Sequence, residues 1–206
     1  MNLLETRNSR RALFALLYLA EGAPIGYLWW AFPARLHDAG LPADRIALVI
    51  ASLTLVWAFK CLWAPLVDAT RHTRFGLRGW IVGAQALMGL TLLPLAFTPV
   101  SETTLPFLWG CLLVHAICAA TQDVSIDALA IRSTPPEDRA RVNAWMQIGL
   151  LAGRAIFGGG ALYLEKHFSS TAVVLALIIS IWLIASIVLL LVRNPSFEKP
   201  TLPPHH

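Results

Sequence analysis

Six titratable side chains interrupt apolar stretches of this sequence, where an isolated charge is unfavourable. They are Glu21, Lys60, His115, Asp123, Asp127 and Arg154. Inside a bilayer, each charged side chain costs about 3 kcal/mol or more unless it is paired or hydrated. We therefore expect these residues to pair with one another or to reach water, and they are the first candidates for a functional role.

Depth along the predicted helices groups three of these residues near the middle of the membrane. Glu21 lies about ten residues into its helix, Arg154 about twelve and His115 about ten, at roughly 1.5 Å per residue. We predict a pair between Glu21 and Arg154 with His115 nearby. The pair could lock two helices together, or one partner could be released to a substrate anion or a proton. His115 could also be a hydrogen-bonded packing residue.

The other three residues lie nearer the cytoplasmic side and form a second predicted group. Asp123 and Asp127 are four positions apart and share one face of a helix. Lys60 lies at a similar depth, so we predict that it pairs with Asp123. The two carboxyl groups could hold a proton between them, share both Lys60 and an arginine of a loop as cationic partners, or act as a structural clamp.

The fifth predicted helix carries two different faces at 100° per residue. Its polar face holds Asn143, Gln147, Arg154 and Gly158, and a second face of small residues, which allow close helix packing, holds Gly149, Gly153 and Gly160. In the first helix, the segment EGAPIG over 21–26 contains Pro24, which lacks a backbone donor. We expect a kink or unwinding there, beside a cavity.

Composition restricts the class of protein. Of 206 residues, 57% are apolar and only 14% are charged, with a mean hydropathy of +0.64. A soluble domain carries about 25% charged residues, so a polytopic membrane protein is indicated. The net charge is +4, and the basic residues lie at the ends of apolar blocks. This placement is typical of membrane helices, so nucleic acid is not the expected partner.

Cys61, Cys111 and Cys118 lack metal-ligand spacing and are predicted to be buried packing residues. No metal or cofactor is expected.

Six segments are long enough to span a bilayer core of about 30 Å. They cover 12–32, 46–67, 80–100, 105–131, 142–164 and 171–192, between a terminus over 1–11 and a proline-rich linker over 194–206. Basic residues favour one side: Arg7, Arg10, Arg11, Arg71, Arg74, Arg78, Arg132, Arg139, Arg141, Arg193 and Lys199, against Arg35, Arg45 and Lys166. This asymmetry predicts that both termini are cytoplasmic, and the membrane is expected to be the inner membrane of a bacterial-type cell.

Several motifs resemble the major facilitator superfamily. The segment 59–80, FKCLWAPLVDATRHTRFGLRGW, is similar to its loop between helices two and three, with Asp68 and Arg78 at an acidic and a basic position and Pro65 in place of an opening glycine. ATQDVSIDALA over 120–130, LLYLAEGAPIGY over 16–27 and GLLAGRAIFGGGAL over 149–162 resemble one branch. That branch contains muropeptide permeases, acetyl-CoA transporters and related siderophore transporters.

The resemblance implies a secondary transporter with alternating access, in which each half is a six-helix bundle built from a three-plus-three inverted repeat. Glu21, His115, Gln122 and Asp123 would face solute or proton, and Asp68 and Arg78 would belong to a cytoplasmic gate. This chain would supply one half, next to a second six-helix half or a second copy. The solute could resemble a muropeptide, a siderophore or an acyl-CoA, and the titratable Glu and His favour protons as the coupling ion.

Two other classes compete with a transporter. A membrane enzyme would need a nucleophile with its base, or metal ligands, and neither HExxH nor GxSxG occurs in the sequence. No enzymatic activity is therefore expected. A receptor or an assembly scaffold with the same fold stays open, because such proteins keep the helices and the packing glycines.

Overall fold

The computed structural model of the protein describes residues 2–70, 73 and 75–193, and the predicted linker over 194–206 lies outside these residues. All regular secondary structure in the described residues is helical, which confirms the predicted all-α bundle. The α-helices are α1 (Arg7–Gly26), α2 (Phe32–Asp38), α3 (Ala43–Ala58), α4 (Ala64–Thr70), α5 (Gly76–Phe97), α6 (Leu105–Ser133), α7 (Arg139–Phe157), α8 (Gly159–Leu164) and α9 (Ser170–Leu191).

Five helical segments within the described residues are long and apolar enough to cross a membrane. They are Arg7–Asp38, Ala43–Leu62, Gly76–Phe97, Leu105–Ser133 and Ser170–Leu191, and they overlap five of the predicted spans. The predicted span over 142–164 corresponds to α7 and α8, which are separated at Gly158, where φ is −95° and ψ is −87°. The helix α7 carries Arg154 near its C-terminal end in addition to Arg139 and Arg141 in its first turn, and it is not among the five segments. A sixth crossing therefore stays a prediction.

The first helical segment changes its register after Pro24. The expected unwinding does not occur: α1 continues to Gly26, a π-helical stretch covers Tyr27–Ala31, and α2 follows directly. Short π-helical stretches inside α-helices rotate the side chains that follow them and are frequent at functional sites. The expected neighbouring cavity is present but small, about 20 Å³, and Pro24, Trp29, Trp57 and His115 are among its lining residues.

The hydroxyl group of Tyr27 ties this π-helical stretch to the end of α8. It donates a hydrogen bond to Oε1 of Glu165 over 2.9 Å and accepts one from Arg35 over 2.7 Å. The Tyr27 side chain is completely buried. These hydrogen bonds of Tyr27 therefore fix the C-terminal part of the first helical segment against the end of α8.

Glycines bring the backbones of α1 and α7 into direct contact. A methyl group on Gly149 would lie 2.0 Å from the carbonyl oxygen of Ala15, and one on Gly22 would lie 2.2 Å from that of Leu150. Gly153 is equally close to α1, as predicted. Gly160, which was predicted to lie on the same face, meets no atom of α1.

Gly158 takes the place predicted for Gly160 in this contact. A methyl group on Gly158 would lie 3.3 Å from the carbonyl oxygen of Gly26 and 3.4 Å from the ring of Trp30. The helical periodicity that assigned Gly158 to the polar face assumes an unbroken helix. The break at Gly158 ends that periodicity, so residues on its two sides follow different registers.

The helix α5 packs between α6 and α9 in the core of the bundle. The indole nitrogen of Trp182 in α9 donates a hydrogen bond to the carbonyl oxygen of Ala86 over 3.2 Å. By contrast, α3 is peripheral, and its Leu48 and Leu55 are 52% and 57% exposed. One side of α3 is therefore free to contact lipid or another helix.

A charged cluster joins the first turn of α1 to the turn before α7, where Asp138 lies outside the membrane-spanning segments. The carboxyl group of Asp138 accepts a hydrogen bond from Arg11 and lies 3.6 Å from a guanidinium nitrogen of Arg10. The hydrogen bond from Arg11 and the charges of both arginines keep the pKa of Asp138 below its ordinary value. The cluster holds the two helix ends together at the side predicted to be cytoplasmic.

Candidate functional site

The structure brings Lys60 and Asp123 together as an ion pair. Lys60 lies in a 3₁₀ turn over Lys60–Leu62, just after α3, and its ammonium group donates to Oδ2 of Asp123 in α6. The side chain of Asp123 is 6% exposed, whereas that of Lys60 is 40% exposed and also lies 5.8 Å from the ring centre of Trp57. This is the pair that depth counting predicted.

Glu21 lies beside this pair and not in an ion pair with Arg154. The charged groups around it are Asp123 and Asp127 of α6, Lys60 of the 3₁₀ turn and, from α7, Arg154. Its side chain is buried, and Oε2 has no hydrogen-bond partner among the described residues. The two predicted groups are therefore one cluster, which we call the acidic cluster: Glu21, Lys60, Asp123 and Asp127.

The prediction of a Glu21–Arg154 pair is not met within the described part of the chain, because no ion pair joins them. Counting residues from the end of a helix predicts how deep a residue lies in the membrane. It does not predict the direction in which the side chain points. Arg154 points towards the π-helical stretch, where its guanidinium carbon lies 5.7 Å from the ring centre of Trp29. Its Nε is buried without a partner among the described residues.

Tyr18 belongs to the acidic cluster, and the sequence reasoning missed it. Its hydroxyl donates a hydrogen bond to Oδ1 of Asp127 over 2.6 Å. A signal for it was available, because Tyr18 lies three residues before Glu21 and residues at that spacing share one face of a helix. A tyrosine inside a span was overlooked because it carries no charge.

His115 makes contacts with α5 and not with the acidic cluster. Its Nδ1 lies 3.1 Å from the carbonyl oxygen of Met88 and 3.4 Å from Oγ1 of Thr91. The side chain is 2% exposed. These contacts are those expected of the packing alternative, although His115 also lines the small cavity beside Pro24 and Trp29.

Gln122 is fully buried next to Asp123 on α6. Neither of its amide atoms has a hydrogen-bond partner among the described residues, and the same is true of Gln85 on α5. Buried amides without protein partners are places where bound water is expected. Gln85 was not predicted, since a lone glutamine within a span has no distinctive pattern.

Asp68 and Arg78 lie at the predicted cytoplasmic end, apart from the acidic cluster. Oδ1 of Asp68, at the end of α4, lies 3.7 Å from a guanidinium nitrogen of Arg132 at the end of α6. Arg78 is half-buried in the first turn of α5. The contact between Asp68 and Arg132 connects the ends of α4 and α6.

The cysteines occupy three different environments. Cys118 is buried, Cys111 is half-buried and Cys61 is exposed. The prediction of three buried packing residues is therefore wrong for Cys61, because the 3₁₀ turn that follows α3 directs this residue away from the core.

Long apolar helices with charged groups buried between them define an integral membrane protein. The chain belongs to the Major Facilitator Superfamily, whose sequence profile matches residues 14–206. This agrees with the resemblance found in the sequence motifs.

Three relatives illustrate the similarity. The anhydromuropeptide permease of Escherichia coli strain K12 is 30% identical over 164 residues, which are 77% of this chain and 32% of the relative. A Rickettsia typhi protein that carries the name AmpG 3 is 26% identical over 89% of this chain and 44% of its own length. An uncharacterised membrane protein of Saccharomyces cerevisiae is 27% identical over 68% of this chain and 29% of its own length. The chain therefore spans less than half the length of each of these relatives.

Proposed function

We propose that this chain is one half of a proton-coupled secondary transporter that works by alternating access. The observation that carries the proposal is the acidic cluster, in which Lys60 pairs with Asp123 and no ion pair within 4 Å reaches the carboxyl groups of Glu21 or Asp127 among the described residues. In a low-dielectric interior, like charges are held close together only at high cost. Such a cluster can reduce its charge by binding a proton, which is the property that coupling requires.

The solute contact in this proposal is Arg154. Its guanidinium group has no carboxylate within 4 Å among the described residues, and its neighbour Trp29 is 36% exposed. A cation held against an aromatic ring is suited to bind an anionic group of a solute. The name of the Escherichia coli relative suggests a muropeptide, and siderophore-like or acyl-CoA-like solutes are the other candidates.

A second six-helix bundle completes the transporter in this proposal, either a second half or a second copy of this chain. The exposed side of α3 supports it, as does the length of the relatives, each more than twice the matched region. The solute path would then lie between two bundles that rock about a site at mid-membrane. The surrounding membrane is proposed to be the bacterial inner membrane, with both termini in the cytoplasm.

The proposed cytoplasmic gate includes Asp68 and Arg78. The contact of Asp68 with Arg132 supports this role, because it connects two helix ends that must separate or shift when access changes. Asp68 is exposed, with 55% of its side chain accessible, so the contact itself contributes little to stability. A charge contact of this kind can form and break at low cost.

Uptake into proteoliposomes tests the proposal, with the protein expressed from its native reading frame and an anhydromuropeptide as the probe. Wild-type protein should accumulate the probe only with an inward proton gradient. Glu21→Gln should abolish accumulation and retain exchange of labelled for unlabelled probe at equal pH. Glu102→Gln, which changes an exposed acid outside the spans, is the matched control.

Two results would contradict the proposal. Accumulation that does not depend on the proton gradient would exclude proton coupling. A folded protein that moves neither the anhydromuropeptide, a siderophore nor an acyl-CoA would favour the receptor or scaffold alternative.

A further inference from the structure

A cavity of about 290 Å³ lies between α6 and α7 and connects the acidic cluster to the end of the bundle that carries Asp138. Its lining residues include Asp127, Thr134, Arg139 and Asn143. The hydroxyl of Thr134 is buried and has no partner among the described residues. The other lining residues, Ala130, Ile131, Val142 and Met146, are apolar, so water is expected along the polar side of the cavity, where it would satisfy that hydroxyl group. Asp127 is therefore the member of the acidic cluster that borders the cavity.

Asp127 differs from Asp123 in the partner it has. Asp123 is held by Lys60, whereas no ion pair within 4 Å reaches Asp127 in the described part of the chain. The hydrogen bond to Asp127 comes from the hydroxyl of Tyr18, at 2.6 Å. A carboxylate without a fixed cation takes up a proton more easily than one in an ion pair.

Tyr18 lies between Asp127 and Glu21. Its side chain is 6% exposed, and Glu21 follows one turn later on the same face of α1. The buried Oε2 of Glu21 has no partner among the described residues, so a single water between Glu21 and the Tyr18 hydroxyl would satisfy both groups. The hydroxyl hydrogen of Tyr18 already points to Asp127, in the direction of the cavity.

We propose that Tyr18 and Asp127 form a proton relay between Glu21 and the cavity between α6 and α7. The proposal rests on the proton coupling proposed above. The Glu21 carboxyl group gives its proton, through the bridging water, to the Tyr18 oxygen. At the same moment the Tyr18 hydroxyl proton passes to Oδ1 of Asp127. Asp127 then releases a proton to a water of the cavity, and Tyr18 ends as a neutral hydroxyl.

Four other charged groups surround the relay among the described residues. Lys60 and Asp123 act on Glu21 electrostatically from the 3₁₀ turn and from α6, Arg154 acts on it more weakly from α7, and Arg139 lines the cavity. Arg139 is held by the carbonyl oxygens of Thr134 and Ile131. Its fixed positive charge favours release of the proton from Asp127 towards the cavity.

Time-resolved infrared spectroscopy after a pH jump tests the relay on the protein in nanodiscs, without any solute. The carboxyl band of Glu21 is assigned by its loss in Glu21→Gln. Tyr18→Phe removes only the hydroxyl group and should slow deprotonation of Glu21 by roughly a hundredfold, the size of a typical proton-transfer contribution. Tyr163→Phe, which changes an exposed tyrosine, should leave the rate unchanged.

Asp127→Asn is the second variant, because it keeps the shape of the side chain and removes its ability to pass a proton. It should slow the same step even if Tyr18→Phe fails to fold. Wild-type rates in folded Tyr18→Phe or in Asp127→Asn would overturn the relay. Because this readout needs no transported solute, a failure of the relay is distinguishable from a failure of the proposed transport, which the proteoliposome experiment measures.

Discussion

The guanidinium group of Arg154 lies 5.7 Å from the ring centre of Trp29, across the interface between α7 and the π-helical stretch. This contact depends on the change of register after Pro24, which directs Trp29 towards α7. A cation over an indole ring is stabilised by about 0.5–2 kcal/mol, depending on burial. The sequence predicts the carboxylate of Glu21 as the partner of Arg154, but the structure gives Arg154 an aromatic partner. Glu21 belongs to the acidic cluster instead.

Double-mutant cycles should separate the two candidate pairs. Lys60→Gln and Asp123→Asn should show a coupling free energy of about 1 kcal/mol or more, because they form a contact in which Asp123 is buried. Partial exposure of Lys60 keeps this value below that of a fully buried pair. Glu21→Gln and Arg154→Gln should be additive to within about 0.5 kcal/mol.

The measurement is chemical unfolding in detergent for each single and double variant. A large coupling between Glu21 and Arg154, with none between Lys60 and Asp123, would show that the side-chain directions in the acidic cluster are wrong.

Gly149→Ala should destabilise the protein by about 1–3 kcal/mol, because the added methyl group would overlap the backbone of α1 and force the helices apart. Gly110→Ala is the matched control, since no atom lies within 4 Å of a methyl group at that exposed position of α6. The control should be neutral, or stabilising by up to about 1 kcal/mol through helix propensity. Unfolding of both variants in the same detergent checks this, and equal effects would argue against the close contact of α1 with α7.

The Asp138 cluster should make stability depend on pH in the acidic range. The pKa of Asp138 is lowered in the folded protein by Arg11, so its stabilising contribution is present above the unfolded pKa of about 3.9 and is lost as pH falls through the folded pKa. The difference in Tm between wild type and Asp138→Asn should be constant from about pH 5 to 7 and shrink below about pH 4.

Arg11→Gln should reduce this pH dependence, because it removes the main cause of the lowered pKa. A difference between wild type and Asp138→Asn that stays constant throughout the acidic range would contradict the assigned role of Arg11.

Labelling of single cysteines should establish the orientation of the bundle. In a background without Cys61, Cys111 and Cys118, a cysteine at position 102 should react with an impermeant maleimide added from outside. A cysteine at position 137, in the exposed turn before α7, should react only after permeabilisation. These outcomes follow from the distribution of basic residues. Labelling of position 137 in intact cells would reverse the predicted topology.

Much of the fold could be predicted because bilayer-spanning segments must satisfy their own backbone hydrogen bonds. An apolar run of about 20 residues then has one stable form, a helix, and its ends lie where polar residues begin. The pair of Lys60 and Asp123 was predictable for a related reason, since both residues lie at the same height on neighbouring helices. The glycine face was predictable at Gly149 and Gly153, where α7 is regular.

Two of the errors, the face assigned to Gly160 and the partner assigned to Arg154, share one cause, which is a change of helical register. The break at Gly158 moved Gly160 out of the interface and brought Gly158 into it. The π-helical stretch over Tyr27–Ala31 turned Trp29 towards Arg154. Neither irregularity can be read from periodicity, because periodicity assumes a constant rotation for each residue.

The sequence by itself determined that the chain is a bundle of apolar helices, at which heights its buried charges lie, and the family to which its motifs belong. Only the tertiary structure decided where Glu21 and Arg154 point, although the pair of Lys60 and Asp123 followed from the sequence. Height along a helix follows from the number of residues, but the direction of a side chain depends on how each helix is rotated against its neighbours. That rotation is set by the packing of Gly22, Gly149 and Gly153 at the backbone of the facing helix, together with the two register changes. For this reason Glu21 lies in the acidic cluster with Asp123 and Asp127, next to Tyr18. Arg154 instead lies beside Trp29.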